Sequence, residues 1–407
     1  MYIFTGLVMQ LLLFGQIGTV GNQIHPAKEY TLVFTEELRI GPHEDQDHYY
    51  WPGLGLTLSP GPNQHIYLCD PREGRILEFN KDGQFVRRVA GRGNGPGEID
   101  QLVSFQVFPH GGAVMMDLQG QIARFQFFDS DMKYQRAISA QGKSIMPLSG
   151  HFSPDGKTIS GHYINFDPEK GRVIHQWGVF SHEFQLIHLT AQGSLPIPRA
   201  ELIGTPQGMT SFLSKYVSLS KTVKGFGVFD SDGNLYTASA KKYEITKWSG
   251  NPSKPKVKIT RKYKPIPYTD RDIKGVIAET FDDFVEELPT RFKAMVTQSL
   301  VEKAMDSSDL GAAKVPIFGL IPIENTHFLV VHDQEFGSGT ARGDIFTAEG
   351  VYLGSVETEE YALLNPQGAA RMVFKGGKAY TILTDGDGEN AIVRYAYGLV
   401  ARNPKKP

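Results

Sequence analysis

The chain has 407 residues, of which 40% are hydrophobic, and this is enough for one large domain with an extensive core. Its formal net charge is -2, so it lacks the basic surplus that neutralises phosphates, and we expect no nucleic-acid partner. The single cysteine, Cys69, excludes an intrachain disulfide and a zinc site made of cysteines. The 44 glycines, 25 phenylalanines and 17 tyrosines favour an all-β protein with short strands and tight turns.

The first twenty residues contain no charged side chain and include an apolar run of the length found in signal peptides. Thr19 and Gly21 are small enough for a cleavage site before Asn22, although the Lys or Arg that usually opens a signal peptide is missing. We therefore expect residues 1–21 to be a signal peptide, either atypical or with its start upstream. The mature protein would then be periplasmic or extracellular and have no membrane span. An uncleaved membrane anchor and a buried strand are the alternatives.

Three segments share one pattern of aromatic residues around a short polar turn. Phe79, Phe128 and Phe346 each precede a three-residue turn, and another aromatic residue follows six positions after each of them. The segments are LEFNKDGQFVRRV (77–89), QFFDSDMKYQRAI (126–138) and DIFTAEGVYLGSV (344–356). The pattern of strand, tight turn and strand predicts a β-hairpin in each copy.

A second hairpin, with a polar turn before an alternating strand, occurs six times along the chain. The copies are GPNQHIYLCD (61–70), PHGGAVMMD (109–117), SPDGKTISGH (153–162), DSDGNLYTAS (230–239), IENTHFLVV (323–331) and FKGGKAYTIL (374–383). Their spacing is roughly 45–50 residues where no insertion intervenes, and a four-stranded propeller blade needs about that length. The sequence therefore predicts an all-β fold, a six-bladed β-propeller that forms a single domain over residues 22–407.

The last repeat is short and contains only an inner hairpin and one further strand. The segment EYTLVFTEELRIG (29–41) has the pattern of a strand but precedes the first repeat. We expect this N-terminal strand to complete the last blade, because that closes the ring and removes an exposed sheet edge.

Two intervals between repeats are too long for a plain connection. Residues 190–222 are rich in Ser and Gly and are interpreted as an irregular polar stretch. Residues 269–306 have apolar residues at three- and four-residue steps, which predicts a helical insertion between blades 4 and 5. Thr269 is the expected N-cap, and Pro289 is expected to separate two helices.

The stretch AGRGNGPGEID (90–100), here called the glycine-rich loop, raises the question of phosphate binding. A dinucleotide loop needs G-x-G-x-x-G between a strand and a helix, but Glu98 stands where the last glycine would be. The G-K-[ST] of a P-loop is missing, and the next segment, QLVSFQVFP, is typical of a strand. The loop is therefore interpreted as a crossing between two blades, where glycine permits positive φ angles.

Several of these segments resemble exported bacterial six-bladed propellers of the NHL-repeat kind. The resemblance is carried by LRIG (38–41), IYLCDPREGRILEFNKDGQFVRRV (66–89), GRGNGPGEI (91–99), YKPIPYT (263–269) and DIFTAEGVYLGSV (344–356). It covers roughly residues 30–400 and implies the fold, whereas it implies little about activity. Related propellers serve as binding scaffolds.

In a propeller, the turns between the second and third strands of each blade share one face with the connections between blades. This face usually holds the functional site, at the mouth of the central channel. The candidate binding residues that the pattern places there are Arg72, Asp117, His162, Tyr163, His332, Asp333 and Glu335. A second group on this face comprises Asp70, Lys241, Lys242, Asp385 and Asp387.

Two functions from different classes remain open. One is an exported scaffold that binds a protein, a small molecule or a carbohydrate, with no catalytic residues and no firm cofactor. The other is a hydrolase or lyase with a divalent metal in the channel, as in six-bladed lactonases or NHL-type amidating lyases. His162 and His332 could begin such a ligand set, but no third histidine is evident for that set, and the first inner strand carries no carboxylate. Binding or scaffolding is therefore the favoured reading.

Overall fold

The computed structural model describes residues 17–26, 28–41, 56–120, 122–143, 145–197, 204–249, 255–287, 296–308, 313–334, 341–358, 372–384 and 389–401. Six sheets make up most of the described chain, and each contains an antiparallel meander of consecutive strands. Two strands from the start of the chain lie at the outer edges of the fourth and the last sheet, and the first of these pairs in parallel. The innermost strands of successive sheets contact one another, and the last contacts the first, so the sheets form a closed ring. The six-bladed propeller predicted from the repeats is confirmed.

The strands of the first three blades follow the chain without interruption. Blade 1 contains β3 (Thr57–Pro60), β4 (Ile66–Asp70), β5 (Arg75–Phe79) and β6 (Phe85–Ala90). Blade 2 contains β7 (Gln101–Val107), β8 (Ala113–Gln119), β9 (Ile122–Phe128) and β10 (Tyr134–Ser139). Blade 3 contains β11 (Ile145–Phe152), β12 (Thr158–Asp167), β13 (Arg172–Ser181) and β14 (Leu186–Pro196).

The other three blades include the two strands from the start of the chain. Blade 4 contains β15 (Gly225–Phe229), β16 (Leu235–Ser239), β17 (Glu244–Trp248), β18 (Pro255–Arg261) and, at its edge, β1 (Gly18–Asn22). Blade 5 contains β19 (Gly319–Ile323), β20 (His327–Gln334), β21 (Ala341–Thr347) and β22 (Tyr352–Thr358). Blade 6 contains β23 (Val373–Lys375), β24 (Lys378–Thr384), β25 (Asn390–Ala401) and β2 (Tyr30–Ile40).

The N-terminal strand closes the ring as predicted. β2 pairs antiparallel with β25 from Tyr30, opposite Ala401, to Ile40, opposite Ile392. It supplies the outer strand that the short last repeat lacks, and Leu32 and Ile40 become buried in the core. Ring closure therefore joins the two ends of the described chain in one sheet.

Several hairpin turns are built by side chains that bond the backbone of their own turn. Oδ1 of Asn80 accepts the backbone N–H groups of Asp82 and Gln84 at 3.0 Å each. Asp129 and Asp230 use one carboxylate oxygen in the same way in their own turns. Polar residues at these turn positions therefore direct the chain reversal.

The core lies between neighbouring blades and is rich in aromatic rings. Fully buried side chains include Phe79, Phe125, Phe180, Phe328 and Phe346. Phe328 and Phe346 stack with ring centroids 5.2 Å apart, and such offset pairs add stability beyond simple burial. The alternation that predicted the strands thus matches the buried face of each sheet.

Three helices lie in the described insertions: α1 (Pro206–Thr222), α2 (Asp270–Glu287) and α3 (Gln298–Asp306). The helical insertion between blades 4 and 5 is confirmed, and Thr269 caps α2, since its hydroxyl accepts the N–H of Asp272 at 3.1 Å. Pro289 lies outside the described residues. Within the described parts of the chain, none of the helices combines the length and hydropathy needed to cross a bilayer.

The interpretation of residues 190–222 as irregular is wrong. Their first part completes β14, and their second part is the 17-residue helix α1, which Thr205 caps by accepting the N–H of Gly208. Met209, Phe212, Leu213 and Val217 form the buried face of α1 and pack in one core with residues of α2 and α3. The segment thus has helical periodicity despite its Ser- and Gly-rich composition.

A parallel strand, β1, lies along the outer edge of blade 4 and pairs with β18. Its residues are mostly exposed, so the described part of this segment is an edge strand. Residues 1–16, to which the alternatives of a membrane anchor and a buried strand also apply, lie outside the described residues. Asn22 links two blades: Nδ2 donates to the carbonyls of Thr260 (3.1 Å) and Gly350 (2.9 Å), and Oδ1 accepts the N–H of Tyr352 at 2.9 Å. The signal peptide predicted for residues 1–21 stays a prediction.

Candidate functional site

Two faces of the ring follow from the strand order. Because every blade is an antiparallel meander, the connections between blades lie on the same side as the turns between second and third strands. We call this side the upper face. All three helices belong to connections between blades, so they lie on it together with the blade 4 turn that carries Lys241.

The glycine-rich loop uses its own amides. The N–H groups of Gly93, Gly95 and Gly97 donate to the carbonyl of Ile99, to Oε2 of Glu98 and to Oε1 of Gln126, at 2.8–2.9 Å. A phosphate-binding loop needs such amides free to point at the ligand. Here all three amides donate to groups of the protein itself, including the carboxylate of Glu98. This supports the interpretation of the loop as a crossing between two blades.

Asp117 lies beneath this loop and is completely buried. Its carboxylate accepts hydrogen bonds from Nε and Nη2 of Arg124 at 2.9–3.1 Å, and Nη2 also donates to the carbonyl of Glu98 at 3.0 Å. A buried carboxylate needs such pairing because desolvation is costly. Asp117 therefore anchors the crossing from blade 1 to blade 2 and has no surface that a ligand could reach.

Arg72 lies in the exposed turn after β4, where the sequence placed it. Its carbonyl accepts a hydrogen bond from Nη2 of Arg92 at 2.5 Å, and the residue is exposed. The preceding Asp70 caps the turn: Oδ2 accepts from Nε of Arg75 at 3.0 Å. Arg72 thus remains an exposed cation on the upper face.

His162 and Tyr163 lie within β12, not in the turn where the sequence interpretation put them; the turn is at 168–171. Nε2 of His162 is 3.0 Å from Nδ1 of His175, and the His162 ring stacks on Trp177 with centroids 4.2 Å apart. Burial, followed by the proximity of His175 and Lys224, lowers the pKa of His162 to about 3. The His162 ring and its Nε2 atom are therefore both in contact with other residues of blade 3.

Tyr163 points to the opposite side of the same strand and is fully buried. Its ring stacks on Phe180 with centroids 3.7 Å apart, and burial raises the pKa of its hydroxyl. Adjacent residues of a strand face opposite sides of the sheet, so His162 and Tyr163 cannot act together on one ligand.

His332 lies at a β-bulge in β20, between the pairs Val331–Gly343 and Asp333–Arg342. It is buried, and Nε2 is 3.3 Å from Oδ1 of Asp344. The other carboxylate oxygen of Asp344 bonds Nη1 of Arg261 at 2.5 Å and the hydroxyl of Tyr243. These groups tie blade 4 to blade 5 in the interior.

The sequence pattern grouped His332 with Asp333 and Glu335. The side chain of Asp333 and the whole of Glu335, together with Asp385 and Asp387, lie outside the described residues. Among the residues that are described, no three His, Cys, Asp or Glu side chains come together as metal ligands. Of the described candidates, Asp117, His162 and His332 each pair with a neighbouring side chain in a different blade or blade junction.

On the face opposite the upper face, Lys375 links the ends of neighbouring inner strands. Its ammonium donates to the carbonyls of Pro60 at 2.8 Å and Val107 at 3.3 Å, which belong to blades 1 and 2. Burial lowers the pKa of Lys375 to about 8. One side chain of blade 6 thus connects the inner strands of three neighbouring blades.

A groove on the upper face does bring polar residues together, in a place that the sequence interpretation missed. Its volume is about 1180 Å³. It is lined by one face of α1 and by parts of β14, the blade 4 turn and α3: Gly193, Ser194, Pro206, Gln207, Thr210, Ser211, Ser214, Lys215, Ser218, Leu219, Val223, Lys241, Lys303 and Ser307. We call it the helix groove.

Helix α1 forms the groove because its two faces differ. Met209, Leu213 and Val217 are turned into the core, whereas Ser211, Ser214 and Lys215 face the groove. This distribution is that of an amphipathic helix. The signal that could have found it is the apolar spacing after Thr205 and Pro206, a typical N-cap and first helical residue.

Close packing between α1 and blade 3 fixes one wall of the groove. Gly193 on β14 lies directly under Leu219, so close that a Cβ atom at Gly193 would overlap the Leu219 side chain. Glycine is needed here for close approach and not for its backbone angle. The strand therefore lies against the helix with no space between them.

The chain matches the profile of a family described as "6-bladed beta-propeller" over residues 62–149. This match agrees with the fold, and the resemblance to six-bladed propellers noted from the sequence is confirmed at that level. No curated protein matches the chain in sequence.

Solved structures with the same general architecture are distant. A Bacteroides fragilis protein provisionally described as exported has 11% identity and a TM-score of 0.49, with 95% of this chain and 100% of that chain covered. Virginiamycin B lyase from Staphylococcus aureus has 11% identity and a TM-score of 0.36, covering 90% and 99%. A gluconolactonase from Xanthomonas campestris has 11% identity and a TM-score of 0.39, covering 91% and 99%. These similarities concern the fold alone.

Proposed function

We propose that this protein is an exported binding protein, without catalysis of its own, that holds a polar ligand in the helix groove. The observation that carries the proposal is the groove itself, about 1180 Å³, whose lining includes six hydroxyl and three ammonium side chains. Binding pockets for small molecules are typically of this order of size, and loops on a rigid scaffold commonly carry recognition. The insertions between blades provide such a surface on the upper face.

The composition of the groove favours binding over catalysis. Among the described residues, its lining contains no carboxylate or imidazole that could act as a general base and activate the serine hydroxyls there. The titratable candidates elsewhere are engaged within the fold: Asp117 with Arg124, His162 with His175, and His332 with Asp344. A group that is held in this way has no free access to a substrate proton.

The groove can be blocked with one substitution. Ser214 is partly exposed on the groove face of α1, so Ser214→Trp fills the space without entering the core. Lys133→Trp, in an exposed turn on the opposite face of the ring, is the matched control. Thermal unfolding is measured with a panel of neutral sugars, acidic sugars, organic acids and phosphates.

A ligand of the groove should raise the melting temperature of the wild type and of Lys133→Trp, and should leave that of Ser214→Trp unchanged. At a concentration 100 times its Kd, a ligand stabilises the folded state by about 2.7 kcal/mol, which such a scan resolves readily. Equal stabilisation of Ser214→Trp would show that the ligand binds elsewhere. Chemical conversion of a bound compound by the protein would overturn the non-catalytic part of the proposal.

A further inference from the structure

We infer that the helix groove recognises an oligoanion, a ligand with several carboxylate, sulfate or phosphate groups. The inference rests on the proposed function and specifies its ligand class. Three lysines from three separate elements line the groove: Lys215 on α1, Lys241 in the blade 4 turn and Lys303 on α3. Among the described residues of the lining there is no acidic side chain, so no carboxylate there balances these charges.

The groove lysines differ in this respect from six other lysines of the surface. Six other exposed or partly exposed lysines form ion pairs: Lys81, Lys133, Lys157, Lys170, Lys258 and Lys378. In the described part of the chain, no such pair involves the groove lysines. Since the whole chain has a net charge of -2, a groove with three unbalanced cations is a local feature and not the average surface.

The start of α1 adds to the positive character of the groove. Pro206 and Gln207, in its first turn, line the groove, and that turn contains no acidic residue. The N-terminal end of a helix carries a partial positive charge, which favours an anion. The effect supplements the lysines, which carry the argument.

Hydroxyl groups supply the directional part of recognition. Ser194, Ser211 and Ser214 line the groove and can donate hydrogen bonds to anionic oxygens. Thr210 and Ser307 already donate to helix carbonyls, of Pro206 at 2.8 Å and of Lys303 at 3.0 Å. A single inorganic ion would fill only a small part of about 1180 Å³, so the geometry favours an extended molecule with several charged groups.

The test uses three anionic probes and one neutral probe on the full-length protein. Oligogalacturonate carries carboxylates, a sulfated heparin-derived oligosaccharide carries sulfates, inorganic tripolyphosphate carries phosphates, and maltohexaose is neutral. Binding is measured by calorimetry at low and at physiological salt. The groove variant is Lys215→Gln, Lys241→Gln and Lys303→Gln together. The matched control changes three paired lysines on the opposite face, Lys81, Lys133 and Lys157, to Gln.

At least one anionic probe should bind the wild type, and the best of the three identifies the charged group. The groove variant should weaken that binding by about tenfold or more, because each of three exposed charge pairs contributes modestly. The opposite-face variant should bind within about twofold of the wild type, and added salt should weaken binding. All three groove lysines are exposed, so the variant should fold normally.

Three results would overturn the inference: no binding of any anionic probe, binding that the groove variant retains, or equal loss in the opposite-face variant. Failure of this inference can be distinguished from failure of the proposed function by the neutral ligands. If maltohexaose or another neutral ligand binds the wild type, fails to bind Ser214→Trp and is insensitive to the lysine changes, the groove binds ligands but the anionic class is wrong.

Discussion

Two turns on the upper face use the same residues in the same way. The sequences are DPREGR (70–75) and DPEKGR (167–172). In each turn one oxygen of the first Asp accepts the backbone N–H three residues later, and the other accepts Nε of the final Arg at 3.0–3.2 Å. The glycine has a φ near +60° in both, which suits glycine best. An acidic residue at the end of a blade strand is therefore an indicator of turn structure before it is an indicator of a site.

At the same scale, His162 makes stability depend on pH. Its pKa is lowered to about 3 in the folded chain, against an ordinary value of 6.5, mainly by burial. Between these values the unfolded chain binds more protons, so the free energy of unfolding should fall as the pH drops from about 6.5 towards 3. His162→Phe keeps a ring against Trp177 but cannot take up a proton. Relative to that variant, the wild type should lose about 2 kcal/mol between pH 7 and pH 4.

Urea unfolding at both pH values measures this difference, and the Trp177 fluorescence gives a local signal. His25→Phe is the matched control, because His25 is exposed, and it should follow the wild type. A His162→Phe protein that loses as much stability at pH 4 as the wild type would contradict the expected role of His162. His175 remains in both proteins, so its own titration largely cancels.

At the scale of elements, β2 is the strand on which ring closure depends. It pairs with β25 along nearly its whole length and buries Leu32 and Ile40. Deleting residues 22–41 would leave β25 as an open edge and remove part of the core between blades 6 and 1. Exposed edges promote aggregation, so the truncated chain should aggregate or show a melting temperature lower by many degrees. Size-exclusion chromatography and thermal unfolding measure both effects.

A shorter truncation separates the role of β2 from that of the N-terminus as a whole. Deleting residues 1–21 removes most of the exposed edge strand β1 but leaves Asn22 and its bonds to blades 4 and 5. This chain should remain monomeric with a small change in stability. If the deletion of 22–41 also melts like the full chain, β2 contributes nothing essential to the ring.

The insertions show where prediction from sequence reaches its limit at this scale. The apolar spacing of residues 269–306 is dense, so α2 and its cap at Thr269 could be predicted. In α1 the apolar residues are the same in kind, but Ser, Lys and Gly surround them and the segment follows directly on β14. The Ser- and Gly-rich composition suggested an irregular segment, whereas the three- and four-residue spacing of the apolar side chains indicates the helix that forms.

For the molecule as a whole, the fold was predictable because its information is local. Each blade consists of hairpins with polar turns and alternating strands, and counting them gives the ring. No local sequence pattern predicts the helix groove, because its lining residues, such as Gly193 and Ser307, are far apart in the sequence and come together only when the helices pack. Likewise, no local pattern pairs His332 with Asp344 or Asp117 with Arg124.

Export concerns the whole molecule, and the position of Asn22 makes it specific. Cleavage after Gly21 would remove the first four residues of β1, whose described pairing is with the edge of blade 4 alone, and would keep the Asn22 contacts with both blades. The remaining edge, β18, carries Lys256 and Lys258, and charged side chains discourage edge-to-edge association.

We expect protein from the native host to lie in the envelope or extracellular fraction and to begin at Asn22 by mass spectrometry. Gly21→Arg places a large residue before the cleavage site and should leave the N-terminal segment uncleaved, whereas Gln23→Arg, after the site, should be processed normally. Cytoplasmic protein with Met1 intact would show that the apolar segment is not a signal peptide.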